Sequence, residues 1–171
     1  ITDYVSEESK EDMLPSTILQ NTYQNDLYAV SFNEAVSLFF YNKDVFEAHG
    51  FRIPASMDEA YTLDEVYEMA KEVATPEMAG IKIIMNKGEG LIYGLSPLFD
   101  SAGAPLISED GTKTEGYINS DKAVEVATSL QRFFTENLAN IDPTPTEFQD
   151  GKAAMWIAGN TGQIPQFEDF P

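Results

Sequence analysis

The 171-residue chain carries 29 Asp and Glu against 10 Lys and Arg, a formal charge of −19. That charge repels phosphate backbones and anionic membrane surfaces, which bind proteins mainly through Lys and Arg, and so argues against nucleic acid as a partner. With 43% hydrophobic and 12% aromatic residues the chain can bury a core of ordinary domain size, and its composition is not that of a disordered acidic tail. Having no cysteine, it makes no disulfide, thiolate metal site or Cys nucleophile, yet it fits a reducing or an oxidising compartment equally well. Neither a run of about 18 apolar residues nor a basic-then-apolar leader pattern occurs in it.

Residues 1–12 hold Asp3, Glu7, Glu8, Glu11 and Asp12 without an apolar period and read as a loosely ordered start, as do residues 1–13 as a whole. The aromatic and β-branched runs Tyr28–Phe32 and Ala35–Tyr41 read as strands. The second is apolar at nearly every position and is expected to be a central strand covered on both faces. A short helix over Asn42–His49 closes at Gly50, where a left-handed C-terminal position costs least. Thr62 and Glu65 have capping-box spacing, and the helix after them places Leu63, Val66, Met69, Ala70 and Val73 on one stripe before stopping ahead of Pro76. Ile81–Met85 reads as a short strand, Gly88 and Gly90 as a break, and Leu91–Ser101 as a helix containing Pro97.

Glu109-Asp110-Gly111 signals a turn. Asn119-Ser120-Asp121 caps the longest helix, which is expected to bury Ala123, Val124, Ala127, Leu130, Phe134 and Leu138 and to end near Asn140. Asp142-Pro143-Thr144-Pro145 is a rigid connection. Phe148–Gly151 turns into a strand over Lys152–Ala158, and Gly159–Gly162 opens a further helix. Strands alternating with helices predict an α/β architecture with a mixed sheet flanked by helices, in a single domain spanning residues 1–171.

Chemistry-bearing patterns are sparse. Gly88–Gly94 misses the dinucleotide spacing by one residue and has no phosphate-loop lysine. The single histidine, His49, stands at a helix end where an imidazole serves the last carbonyls. The stretch Ser108–Thr112 lacks the alternating oxygen ligands of a calcium loop. Neither a metal nor a cofactor is expected. Paired carboxylates for a carbohydrate-active enzyme are neither supported nor excluded by counting, and the acids Asp58 and Glu59 suit the dipole of the helix that follows them. The phenylalanines among Tyr28, Phe32, Phe39, Phe40, Tyr41 and Phe46 read as core. Tyr93 and Trp156 have the mixed character suited to stacking on a ligand, and for Trp156, inside a strand, burial is the better reading.

Tyr41-Asn42-Lys43-Asp44-Val45-Phe46 after an aromatic strand, then Gly50 and Pro54 ahead of a capped helix, resembles the extracellular solute-binding proteins of ABC importers, in their sugar-binding group. The same order of landmarks continues through Ser101–Ile107, Glu109–Gly111, Asn119-Ser120 and, most specifically, Gly151–Gly159. The resemblance covers about residues 14 to 165 and implies one lobe, the second, of a type II periplasmic-binding-protein-like clamshell that closes on its ligand. Under it, the start at Ile1 and the end at Pro171 are expected for part of a longer chain whose first lobe lies elsewhere.

By resemblance the polar residue on the first crossing strand is Asn33 or Glu34, the ligand-facing aromatic is Tyr93, and Asp100 is its neighbour. The family often has an aromatic after the Gly that follows the Met strand, whereas Asn160 and Thr161 stand here and imply hydrogen bonding in place of stacking. Sugars offer CH faces to rings and hydroxyls to paired donors and acceptors, which Tyr93, Asn33, Glu34 and Asn160 can supply. Asn160 reads equally as a helix cap and Glu34 as a solvated strand end. The implied function is a non-enzymatic ligand-binding lobe that delivers a sugar or oligosaccharide to an ABC transporter permease, outside the cell, cell-surface anchored as a lipoprotein or periplasmic. The competing reading is a carbohydrate-active enzyme domain with paired carboxylates.

Overall fold

The computed structural model describes residues 1–84 and 89–167, with Glu89–Leu91 as backbone only. It divides into two compact units, Ile1–Val36 and Ser37–Pro171. Met85 and Gly88, which the sequence assigns to a strand end and a break, lie outside the described residues.

In the first unit the acidic start does form local structure, a 3-10 turn at Thr2–Tyr4 and helix α1 (Glu7–Glu11), whose Ser6 accepts from the amide of Ser9 at 3.1 Å. Neither element buries a residue. The Ile1 ammonium donates to the Leu27 carbonyl at 2.7 Å. Helix α2 (Pro15–Gln20) starts on Pro15, whose fixed φ suits a first helical turn. A two-residue hairpin follows, β1 (Thr22–Tyr23) with β2 (Asp26–Leu27), turned by Gln24 and Asn25 at positive φ. The strand expected over Tyr28–Phe32 is absent, and Phe32 is exposed where a core position was expected; Tyr28 is exposed as well. Strand propensity in an aromatic run becomes a strand only when a neighbouring strand offers its hydrogen bonds, and none does so among the described residues.

The second unit is built on a three-stranded mixed sheet in the order β3–β5–β4, with β3 (Ser37–Tyr41) antiparallel and β4 (Ala79–Ile83) parallel to β5 (Ala153–Asn160). Among the described residues β3 is therefore an edge, and all five of its residues are half-buried, which corrects the expectation of a central strand. The central strand is β5, buried through Ala153–Ile157. Helix α3 (Lys43–His49) is capped by Asn42 and closed by Gly50 at φ +67°, and His49 Nδ1 lies 2.9 Å from the Val45 carbonyl.

Helix α4 (Leu63–Val73) carries the capping box, the Thr62 hydroxyl accepting from the Glu65 amide while the Glu65 carboxylate accepts from the Thr62 amide at 2.7 Å. Arg52 and these Thr62 bonds hold the Glu65 carboxyl below its usual range, the Thr62 backbone bond being the largest cause. Its buried face is Val66, Tyr67, Met69, Ala70 and Val73. A Cβ on Gly80 would stand 2.3 Å from the Ala70 carbonyl oxygen, so β4 approaches α4 more closely than any other residue permits.

Helix α5 (Glu89–Ser101) keeps Pro97 inside it. Helix α6 (Asp121–Thr135), capped by Ser120, buries Ala123, Val126, Leu130 and Phe133, while Val124 is 56% exposed. The stripe is thus turned by one position from the expected one. The helix also ends at Thr135 instead of Asn140, because Asn137 takes a positive φ of 58° and Leu138 and Ala139 are buried as loop residues. The main core joins α3, α4 and α6 to the sheet through Phe46, Val66, Val73, Ile81, Phe133 and Met155.

Candidate functional site

The carboxyl ends of parallel strands are where open α/β sheets bind ligands, and several expected residues lie at that end of β4 and β5. Along β5 the pairing runs Leu38 with Gly159 but Phe40 with Trp156, so β5 spends one residue more than β3 over this stretch. The extra residue forms a β-bulge in which Ala158 takes φ +61°, a left-handed conformation for a residue with a Cβ. Such a conformation costs about 1–2 kcal/mol. The bulge re-aims the last residues of the strand, Gly159 and Asn160, and brings Asn160 opposite Ser37.

Asn160 is held by two bonds. Its backbone amide donates to Gln163 Oε1 at 2.6 Å, and its Oδ1 accepts from the Gly162 amide at 2.8 Å. The capping reading of Asn160 is therefore realised at the start of the 3-10 turn Thr161–Phe167, while its Nδ2 group has no partner among the described residues. Gly159 is required by packing, since a Cβ there would lie 2.5 Å from the Phe40 ring. Helix α5 lies against the same end: a Cβ on Gly94 would be 3.8 Å from Ala158 Cβ and 4.0 Å from the Ile84 carbonyl. Tyr93, one residue earlier, is 46% exposed. Tyr93, Asn160 and Thr161 thus belong to elements that meet at one end of the sheet. Asp100 is seven residues on from Tyr93, about 10 Å farther along α5. Asn33 and Glu34 lie in the other unit, where Asn33 is exposed and Glu34 half-buried.

Two residues beyond the expected set enter this site. Ser37 faces Asn160 in register, and Gln163 fixes the Asn160 backbone. The bond from the Gly162 amide to Asn160 Oδ1 could have been sought in the sequence, since an Asn before a Thr-Gly pair favours a side-chain-closed turn; the Gln163 contact and the Ser37 pairing could not.

Concavities among the described residues flank the sheet. A groove of about 720 Å³ beside β3 is lined by Phe39, Ile53, Met57, Tyr61, Leu98 and Ile157. It is overwhelmingly apolar and offers few partners for hydroxyl groups. A smaller pocket of about 290 Å³ is lined by Lys82, Asp142, Thr144, Trp156, Gln163 and Gln166. Trp156 is 2% and Lys82 1% exposed, and the Lys82 ammonium sits 4.2 Å from the indole centroid and donates to the Pro145 carbonyl at 2.6 Å. Burial pushes the Lys82 ammonium below its ordinary pKa, with Glu147 and Asp150 acting the other way. The expected burial of Trp156 is thus realised, and with its indole nitrogen sealed from solvent it is a core residue and not a stacking platform.

Among the described residues no helix is long and apolar enough to cross a membrane, and no group of three or more His, Asp or Glu could hold a metal ion.

The bacterial extracellular solute-binding protein family model matches residues 1–171. Similar solved structures include an ABC substrate-binding protein of Listeria monocytogenes in complex with cycloalternan, at 23% identity and a TM-score of 0.70, covering 96% of this chain and 43% of that one. An ABC transporter solute-binding protein of Agrobacterium vitis with bound D-mannitol aligns at 24% identity and a TM-score of 0.72, covering 98% and 40%. A Mycobacterium tuberculosis protein in complex with glycerophosphocholine aligns at 13% identity and a TM-score of 0.75, covering 95% and 42%. The chain therefore spans well under half the length of the structures it matches, and at these identities they establish the fold. With the family model matched from end to end and a mixed α/β sheet of the same fold, the chain belongs to the bacterial extracellular solute-binding proteins.

Proposed function

We propose that this chain is the second, ligand-binding lobe of a two-lobed receptor that captures a carbohydrate or polyol outside the cell and presents it to an ABC transporter permease. The observation that carries the reading is the strand end itself, where the Ala158 bulge sets Asn160 opposite Ser37 and the α5 residue next to Tyr93, Gly94, approaches Ala158. These residues offer a ring edge, an amide and hydroxyls, which is the chemistry a sugar needs. No carboxylate is among them, which favours binding over the glycosidase alternative, where two acids must flank the bond. The cycloalternan and mannitol complexes support a carbohydrate or polyol ligand, and the glycerophosphocholine complex sets the competing solute class.

The mechanism is a population shift. A ligand that contacts both lobes stabilises the closed receptor in proportion to its extra affinity for that form, and the permease recognises the closed form. The protein is extracellular, either lipid-anchored at the cell surface or periplasmic, and performs no chemistry on its ligand. One lobe supplies only part of the contacts, so titration calorimetry of this chain with maltose and D-mannitol is expected to show binding in the millimolar range, weaker for glycerophosphocholine. Micromolar or tighter binding by this chain alone would overturn the half-site reading.

A further inference from the structure

Strand β3 is an edge of its sheet among the described residues. Its sequence, Ser37-Leu38-Phe39-Phe40-Tyr41, holds no charge, glycine or proline, and so lacks the devices that keep an exposed edge from pairing with another chain. The ladder shows which of its backbone groups are open. The Asn42 amide donates to the Ala154 carbonyl at 2.8 Å, and Phe40, two residues earlier, stands opposite Trp156. Residues of an antiparallel strand alternate in direction, so Phe40 and Asn42 bond to β5. The N–H and C=O groups of Phe39 and Tyr41 point outward and have no partner among the described residues. The groove of about 720 Å³ runs beside this edge, and no charged residue lines it although 23% of the chain is charged. Two of its lining residues, Met57 and Ile53, are 88% and 52% exposed. Two copies of a chain with a charge of −19 repel one another over most of their surfaces. On this face they meet without opposing carboxylates, and the nearest charges in sequence, Lys43, Asp44, Arg52, Asp58 and Glu59, are of both signs.

We propose that β3 and this groove form the interface of a twofold-symmetric homodimer, in which the β3 strands of two copies pair antiparallel and join their sheets into one. The open groups set the register. Phe39 of one copy exchanges both backbone bonds with Tyr41 of the other, and the twofold axis repeats the exchange, so every outward group of the two residues is satisfied. Phe40 lies on the axis opposite its own counterpart, in a pair without backbone bonds where side chains approach most closely. The occupant that fits is an uncharged strand with apolar rings on both faces. β3 is itself such a strand, with Phe39 and Tyr41 packed on the core face and Phe40 on the other beside Trp156. A five-residue edge makes a small interface, so the dissociation constant is on the order of 10 μM. The dimer is independent of which solute the strand ends bind.

Sedimentation velocity of the full chain over a concentration series, paired with amide hydrogen exchange read by NMR at its two ends, tests this. The parent should pass from monomer to dimer, and because added salt screens the repulsion between two acidic chains, association should tighten about tenfold from low to high salt. Exchange at the Phe39 and Tyr41 amides should slow as the dimer forms, while the Phe40 and Asn42 amides, already bonded to β5, should be protected at both ends of the series. Met57→Glu, at an exposed position, should melt like the parent and weaken association about tenfold or more by setting two carboxylates in the interface. Ile118→Glu adds the same charge at an exposed residue outside the groove and should stay within about twofold of the parent. A chain that remains monomeric at every concentration and salt would overturn the proposal. So would a dimer in which the Phe39 and Tyr41 amides exchange as fast as in the monomer, or equal weakening by Met57→Glu and Ile118→Glu, either of which would place the contact on another face.

Discussion

The two faces of strands β4 and β5 are made by alternate residues of the same two segments, yet they are built to different rules. On one face Ile81 pairs in register with Met155 and Ile83 with Ile157, and all four are buried in the aliphatic core against α4 and α6. On the other, Lys82 pairs with Trp156, a buried ammonium over a buried indole, joined by Phe40, Phe148 and Phe167. The first face needs nothing but volume. The second leaves polar groups without partners, the Trp156 indole nitrogen and one Glu147 oxygen among them, and unsatisfied buried groups weaken a fold where well-packed methylenes strengthen it. The difference teaches that stability is concentrated on one side of the sheet, while the bulge and the strand-end residues depend on the less optimised side.

That contrast can be broken at several points. Met155→Ala, on the aliphatic face, should cost about 2–5 kcal/mol, the range for truncating a fully buried side chain, seen as a lowered urea midpoint at constant slope. A loss below 1 kcal/mol would mean that the face is loosely packed. Gly159→Ala drives a methyl into the Phe40 ring and should cost about 1–3 kcal/mol as an overpacking change; it should also disturb the backbone of Asn160, visible as amide shifts reaching Gln163.

Lys82→Met should change stability at neutral pH by no more than about 1 kcal/mol, because the lost hydrogen bond is offset by relief from burying a charge. Its clearer signature is in pH dependence. Burial lowers the Lys82 pKa in the folded chain, so between that value and the unfolded one the unfolded chain holds the extra proton, and stability rises with pH through that alkaline window. The Lys82→Met variant should lose this rise, and a parent whose stability falls there relative to the variant would contradict the assignment.

Much of the fold was legible where the determinants are local. The Thr62–Glu65 capping box, the two caps of the Asn42-to-Gly50 helix and the Ser120 cap are each made by bonds spanning no more than four positions, and each formed as read. What failed depends on partners distant in sequence. Tyr28–Phe32 has strand composition but no strand pairs with it among the described residues, and the apolar run of β3 gives no information on whether it takes the centre or the edge of a sheet whose order is set by β5. In α6 a one-position turn of the buried stripe separates Val124 from Val126, a distinction that only the packing of Ala123, Val126 and Leu130 against Phe99 and Ala104 decides. At the site, Tyr93 and Asn160 were named from resemblance, but their shared end of the sheet follows from the Gly94–Ala158 approach and from a left-handed Ala158. Nothing in an alanine announces a bulge.

The central claim is that the carboxyl ends of β4 and β5 recognise a carbohydrate or polyol, and amide chemical-shift mapping during titration with D-mannitol tests it most directly. The account predicts saturable shifts that include Ser37, Tyr93, Asn160 and Thr161 and leave the Ile81–Met155 core still. Saturable shifts confined to the apolar groove around Ile53, Met57 and Tyr61, with the strand ends unmoved, would contradict it.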